Sequence, residues 1–97
     1  MYENEYDILM KTPVGNKFGN ISFNIIGGTI SGKLKILNHT ENINGTIDRS
    51  GYCRIKGNIV TLTRNIDFVA AGKIESETLT LSVKDERNIY EITGLKK

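Results

Sequence analysis

The sequence has little of several residue types on which enzymes depend. Of its 97 residues, one is histidine, one is cysteine and none is tryptophan. A single cysteine excludes an internal disulfide framework and is typical of a reducing compartment such as the cytoplasm. His39 falls in a predicted turn and Cys53 in a predicted core position, so we expect neither a metal site nor a nucleophile paired with a base. We therefore predict no catalytic residue, no cofactor and no enzymatic activity.

Long apolar runs and clustered charge are also missing. No apolar stretch approaches the roughly 20 residues of a membrane helix, and the acidic start "MYENEYD" lacks the apolar core of a secretory signal. Lysine and arginine are spread among eleven acidic residues, and the formal net charge is only +2. Nucleic-acid-binding proteins usually carry a clustered basic stripe with stacking aromatics. We therefore expect no nucleic-acid partner, no membrane partner and a cytoplasmic location.

What the sequence does contain is a period of two. In "SGKLKIL", Leu34 and Ile36 alternate with Lys33 and Lys35, and "GYCRIKG" and "TLTLSVK" repeat this pattern. Such alternation is typical of antiparallel strands that have one buried and one wet face. Turn signals such as the Gly27–Gly28 pair predict eight strands, at about residues 5–12, 17–26, 29–37, 42–49, 52–62, 66–75, 78–84 and 88–95.

Short connections between these strands predict the fold class. We expect an all-β, eight-stranded antiparallel up-and-down meander curled into a small, calycin-like barrel or half-barrel, because curling protects the edge strands. The length fits one domain, residues 1–97. The match of "NISF" at Asn20–Phe23 to "NIDF" at Asn65–Phe68 is either the trace of a duplicated four-stranded half or a coincidence.

The ten glycines fall into two groups. One group lies in predicted turns, and the other lies on the buried phase of six different strands. The second group either allows the sheet to coil sharply or leaves an internal cavity for a small apolar ligand, lined by Phe23, Phe68, Ile55 and Leu81. The inward glycines are Gly19, Gly32, Gly45, Gly57, Gly72 and Gly94.

Five apolar residues fall on the outward phase of their strands. If they converge, they mark an interface with a second copy or a partner protein, whereas scattered exposed apolar residues need no explanation. A bulge near Gly57 that switches the phase of its strand is the other interpretation. These residues are Leu9, Ile26, Leu37, Val60 and Val69.

The motifs "KTPVG", "GGTISGKL", "NGTI", "GYCRIKG", "IDFVAAGKIESETL" and "ITG" together resemble a small bacterial β-meander module of anaerobes. That module has Thr-Pro-x-Gly turns and inward glycines, and it is sometimes appended to flavin-dependent oxidoreductases. The resemblance implies an architecture and no particular activity. The main hypothesis is therefore a non-enzymatic interaction or accessory module that forms a homodimer or docks on a partner enzyme. The alternative is a lipocalin-like barrel that binds a small apolar ligand.

Overall fold

Alternating side chains and short turns divide the chain into eight antiparallel strands. The computed structural model describes residues 2–12, 15–36, 39–60, 65–84 and 88–97, with the backbone alone at 59–60 and 65–66. The strands are β1 (Asn4–Thr12), β2 (Gly15–Ile26), β3 (Thr29–Ile36), β4 (His39–Ile47), β5 (Tyr52–Val60), β6 (Asn65–Ile74), β7 (Thr78–Lys84) and β8 (Ile89–Lys96). No helix among the described residues is long and apolar enough to cross a membrane.

Each strand pairs with its neighbour in sequence, and β1 also pairs with β8, which closes the barrel. The closing register places Tyr6 opposite Lys96 and Lys11 opposite Glu91. The all-β meander predicted from the sequence is therefore confirmed, and of its two forms the closed barrel is the one observed. Closure pairs the strand edges that a half-barrel would leave open.

The predicted strand boundaries agree with the structure to within a few residues, with one clear error. His39 was expected in a turn, but it is the first residue of β4 and pairs with Ile36. The polar sequence that follows reads as a turn, but its residues alternate in burial as a strand does. The barrel register outweighs the weak strand propensity of these polar residues.

The turn glycines behave as their sequence context predicts. Gly27 and Gly28 have φ values of 58° and 80°, which is the left-handed geometry of a tight hairpin. Gly51 also has a positive φ of 92° and ends the turn in which Asp48 accepts hydrogen bonds from the backbone N–H groups of Ser50 and Tyr52. These two turns lie at the same end of the barrel.

The barrel has two ends, which we name after one inward residue near each. The Tyr6 end carries both chain termini and the β2–β3, β4–β5 and β6–β7 turns. The Met10 end carries the other four connections, most of whose residues lie outside the described part of the chain. The β5–β6 register runs without a bulge from Tyr52 opposite Lys73 to Val60 opposite Asn65, whereas the β4–β5 pairing ends at Gly57, opposite Ile43.

Four of the six inward glycines lie against the backbone of a neighbouring strand. Each pairs on both sides with a large or apolar inward residue; Gly32, for example, lies between Phe23 and Ile43. A Cβ atom on Gly32 would collide with the carbonyl oxygen of Ser22 and would lie 2.6 Å from the Cα of Phe23. Glycines 19, 45 and 72 face a carbonyl oxygen of the next strand in the same way. The backbone itself therefore occupies the space that a side chain would need, as sharp coiling of the sheet requires.

Candidate functional site

The interior of the barrel is entirely apolar among the described residues. The buried side chains form one cluster, and no polar or charged side chain is buried with them. Any molecule that entered this interior would have to be apolar, because a buried polar group without a hydrogen-bond partner costs several kcal/mol, about 2–7 by transfer measurements. The cluster is made by Tyr6, Ile8, Met10, Ile21, Phe23, Ile30, Leu34, Ile36, Ile43, Cys53, Ile55, Phe68, Ala70, Ile74, Leu79, Leu81, Val83 and Ile92.

The Tyr6 end of the interior is filled. The rings of Tyr6 and Phe23 stack with their centroids 5.9 Å apart and their planes 4° from parallel. Tyr6 donates a hydrogen bond of 2.7 Å from its hydroxyl to the carbonyl oxygen of Glu75, in the β6–β7 turn. Tyr6 is 1% exposed and Phe23 is 0% exposed, so no water-sized space adjoins either ring. This end is closed by a stacked pair that is tied across the barrel.

The Met10 end of the interior has no stacked aromatic pair among the described residues. Met10 is 8% exposed and Val83 is 7% exposed, which is similar to Ile74 at 9% and Cys53 at 6% near the Tyr6 end. Met10 pairs with Ile92, and Ile92 pairs with Leu81, so these side chains share one row across β1, β8 and β7. Phe68 lies on β6, where its ring covers Gly57. The two ends therefore differ in this aromatic pair and not in the exposure of their inward side chains.

At the Met10 end, the inward positions of β2 and β4 are occupied by polar side chains. Lys17 pairs with Met10, and Glu41 pairs with Leu34. Both side chains are half-buried, whereas His39 is exposed. The rim of this end is thus polar above an apolar interior, an arrangement that suits a ligand with an apolar body and a polar edge.

The four residues predicted to line a ligand cavity are all inward but occupy different levels. Phe23 lies at the closed Tyr6 end, and Phe68 lies toward the Met10 end. Ile55 and Leu81 lie between them and are 1% and 2% exposed. The structure adds Met10 to these inward residues. Burial alternates along β1 as a strand requires, so the period of two could have identified Met10 from the sequence.

The residues predicted to form an interface lie on different strands. Leu9 lies on β1, Ile26 at the end of β2 and Val69 on β6, with side chains on the outer face. Leu37 and the side chain of Val60 lie outside the described residues. Val69 pairs with Lys56 and Lys84 and has no described apolar partner beside it in the sheet.

Leu9 is the member of this set that has exposed apolar neighbours. Phe18, directly opposite on β2, is 76% exposed, and Leu95, diagonally placed on β8, is 68% exposed. Together they line a shallow outer groove with Thr80 and Thr93. We name Leu9, Phe18 and Leu95 the outer apolar patch. Phe18 was missed in the sequence because "GNKFGN" reads as a glycine-rich turn and gives little indication of strand phase.

Neither titratable group with a shifted pKa has the environment of a catalytic residue. Burial raises the pKa of the Cys53 thiol, although a hydrogen bond with the backbone of Gly72 lowers it and the charge of Asp48 raises it. A thiol with a raised pKa is a poor nucleophile at neutral pH. Burial also raises the pKa of the Tyr6 phenol, and the charge of Glu77 raises it further. The described residues contain no cluster of three or more metal-ligating side chains.

Comparison with solved structures identifies the architecture. A redesigned β-barrel, mFAP1, bound to DFHBI superposes with a TM-score of 0.71 at 15% sequence identity, over 96% of this chain and 92% of its own. The fold is that of a calycin-like barrel. Apo lipid binding protein 8 of Caenorhabditis elegans superposes with a TM-score of 0.54 at 9% identity, over 84% of this chain and 72% of its own. No protein-family model and no curated protein matches the chain.

Proposed function

We propose that the protein binds a small apolar ligand inside the Met10 end of the barrel. The observation that carries this proposal is the stacked aromatic pair, which among the described residues is found at one end of an interior without buried polar side chains and not at the other. The Tyr6 end is filled by a stacked and hydrogen-bonded aromatic pair. The Met10 end has no such pair in the part of the chain that the structure describes. The fold supports the proposal, because both similar structures are named for a bound small molecule or for lipid binding.

The proposed site consists of Met10, Phe68, Val83 and Ile92, with Leu81 as its floor. The ring of Phe68 lies over Gly57, where the absence of a side chain makes room for it. Ile55 and Phe23 lie below this level and act in the proposal as packing residues. A ligand of this site is small, because the barrel is only 24 × 21 Å across its two shorter axes.

Titration with the neutral apolar fluorophore N-phenyl-1-naphthylamine tests the proposal. Its emission rises when it leaves water, and we expect saturable binding that a medium-chain alcohol displaces. Val83→Phe fills the site, so we expect it to weaken binding at least tenfold. Val69→Phe makes the same change on the outer face of the adjacent strand and should leave binding unchanged.

Circular dichroism and urea unfolding establish that each variant is folded before it is titrated. Ile92→Phe serves as a second blocking variant if Val83→Phe does not fold. Equal affinity in the wild type and in both inward variants would exclude the Met10 end as the site. An absence of saturable binding by the wild type would count against an apolar-ligand function.

The outer apolar patch favours a second function, self-association. Phe18 and Leu95 expose most of their surface beside Leu9, and a contiguous exposed apolar patch often marks a protein interface. We expect sedimentation velocity to detect a concentration-dependent dimer that Phe18→Ser abolishes. Ile26→Ser is the matched control, because Ile26 is 75% exposed on the same strand but away from the patch. A monomer at every concentration would exclude the homodimer and leave only docking on a different protein.

A further inference from the structure

The fold brings together cationic residues that are separated in the sequence. Strands β3 and β5 each present two cations on their outer face, Lys33 and Lys35 on the first and Arg54 and Lys56 on the second. All four side chains are exposed. Among the described residues of β3, β4 and β5, no acidic side chain lies on the outer face. We name the outer face of these three strands the cationic face.

The opposite side of the barrel carries acidic residues together with Lys11, and Asp7 is paired with Lys97 there. Glu5 and Asp7 lie on the outer face of β1, and Glu91 lies on that of β8. The small net charge of +2 therefore does not reveal the local concentration of cations on the cationic face. A local potential of one sign attracts a ligand of the opposite sign even when the whole molecule is almost neutral.

The cationic face also has a regular geometry. Two residues apart on one strand, the Cα atoms of Lys33 and Lys35 are separated by about 6.7 Å, and the same holds for Arg54 and Lys56. This spacing is similar to that of successive phosphates in an extended nucleic-acid strand. The backbones of β3 and β5 lie about 9.5 Å apart on either side of β4, so the cations form two parallel tracks.

The strand between the tracks supplies hydrogen-bonding side chains. Asn42 lies opposite Lys33, and Asn44 lies opposite Lys56. Thr40 and Thr46 extend this row in both directions, and all four are exposed. Amide and hydroxyl groups of this kind bind phosphate and sugar oxygens in nucleic-acid complexes.

No described residue neutralises the four cations. None of them makes an ion pair with any residue in the described part of the chain, where the recorded ion pairs are Lys73–Glu75 and Lys97–Asp7. Asp48 lines the same shallow surface pocket as Arg54, whereas Glu41 lies on the inward phase of β4 and Asp67 lies on β6. Asp67 accepts a hydrogen bond of 2.6 Å from the side chain of Asn58, which holds it beside that residue.

We propose that the cationic face binds the backbone of a single-stranded nucleic acid, independently of base sequence. The charge complementarity of two cation tracks with a phosphate chain carries the proposal. An anionic membrane is the less favoured partner, because β3, β4 and the described side chains of β5 present no aliphatic residue on this face for insertion between lipids. The sequence predicted no nucleic-acid partner because its lysines and arginines are spread along the chain. Strand pairing nevertheless brings the cations of β3 and β5 onto one face.

Fluorescence anisotropy with labelled oligo(dT) and oligo(U) tests the proposal across a series of KCl concentrations. Four neutralised phosphates predict a slope of log K against log salt of about −3. Lys33→Gln combined with Lys56→Gln removes one cation from each track, so we expect the slope to fall to about −1.4. At 0.1 M salt the same loss corresponds to binding roughly 20-fold weaker.

Lys11→Gln combined with Lys96→Gln is the matched control. It changes the net charge equally, but these exposed residues lie on β1 and β8, so affinity and slope should match those of the wild type. Equal losses in both double variants would overturn the proposal, because binding would then depend on net charge alone. Absence of binding to either oligonucleotide, or binding only to phosphatidylserine vesicles, would also overturn it. The apolar-ligand site is unaffected in all of these variants, so fluorophore binding serves as an independent measure of folding.

Discussion

The two ends of the barrel interior are built from similar residues but differ in what holds them. At the Tyr6 end, the ring of Phe23 is stacked on Tyr6, whose hydroxyl binds a turn across the barrel. At the Met10 end, the equivalent aromatic is Phe68, and its ring lies over Gly57 without a stacking partner among the described residues. One polar atom, the Tyr6 hydroxyl, joins the aromatic pair of the Tyr6 end to the β6–β7 turn.

The same comparison runs along a single row of paired residues. Phe23, Gly32, Ile43, Gly57 and Phe68 follow one another across β2 to β6. The row begins at the Tyr6 end with Phe23 and finishes toward the Met10 end with Phe68. Its two glycines both lie on the inward phase of their strands, but their neighbours differ. Gly32 faces backbone atoms, whereas Gly57 faces the ring of Phe68.

Alanine substitution at these two glycines should produce the largest difference. We expect Gly32→Ala to lower the free energy of unfolding by about 3 kcal/mol, because its Cβ meets the Ser22 carbonyl and the Phe23 backbone. We expect Gly57→Ala to cost about 1 kcal/mol, because the Phe68 ring can shift. Urea unfolding measures both.

Gly94→Ala calibrates this pair of variants. A Cβ there would approach a methyl carbon of Ile8 to 3.1 Å, a contact that side-chain adjustment relieves. We expect a loss of about 1 kcal/mol or less. If Gly57→Ala proved as costly as Gly32→Ala, Phe68 would be as fixed as Phe23 and the two ends would not differ in this way.

Removing the Tyr6 hydroxyl should have the next largest effect. Tyr6→Phe preserves the stacked rings but leaves the Glu75 carbonyl without its hydrogen bond, so we expect a loss of about 1 kcal/mol in the free energy of unfolding. Hydrogen exchange should increase at the β6–β7 turn, where the amide of Glu75 is bonded to the carbonyl of Thr78. Unchanged exchange in that turn would mean that the hydroxyl does not hold the closed end.

The smallest effect should be a decline of stability in alkali that arises at the Tyr6 end. Burial raises the folded pKa of Tyr6 above its ordinary value of 10.0 and that of Cys53 above 9.0. The folded state therefore keeps these protons longer than the unfolded chain does. The resulting stabilisation is complete below about pH 9 and is lost as pH rises through the folded pKa values.

Urea unfolding between neutral pH and pH 11 measures this decline. Cys53→Ala should remove the part that begins near the thiol pKa, and Tyr6→Phe should remove the part at higher pH. The Met10 end contributes nothing to the predicted slope, because the side chains proposed to line it do not ionise. A pH profile that both variants left unchanged would place the responsible groups elsewhere in the barrel.

The sequence was sufficient to predict the strands and the inward glycines because both depend on local information. Period two assigns each side chain to a face, and the Gly27–Gly28 and Asp48–Gly51 sequences specify turns within a few residues. The boundary at His39 was wrong because the polar start of β4 is held by its partner strand and not by its own propensity. The local pattern also cannot choose between a half-barrel and a closed barrel.

The candidate sites depend on contacts between distant residues and were less predictable. Tyr6 and Glu75 are 69 residues apart in sequence, so nothing near either residue indicates which end is closed. The cationic face likewise depends on the positions of β3 and β5 on either side of β4, with the lysine and arginine side chains of both strands facing outward. The residues were visible in the sequence as alternating lysines, but their grouping follows only from the order of strands around the barrel.

The pairing of β1 with β8 has a consequence for how the chain could be reconnected. The amide of Lys97 donates a 3.1 Å hydrogen bond to the carbonyl of Glu5, so the two ends of the chain lie side by side. A short linker between them, with new ends cut in the Asp48–Gly51 turn, would preserve all eight strand pairings. In such a circular permutant, β1 and β8 would become sequence neighbours, and β4 and β5 would form the long-range pair. Because folding rates fall as contacts become more distant in sequence, comparing the two forms would reveal whether closing the barrel limits the rate of folding.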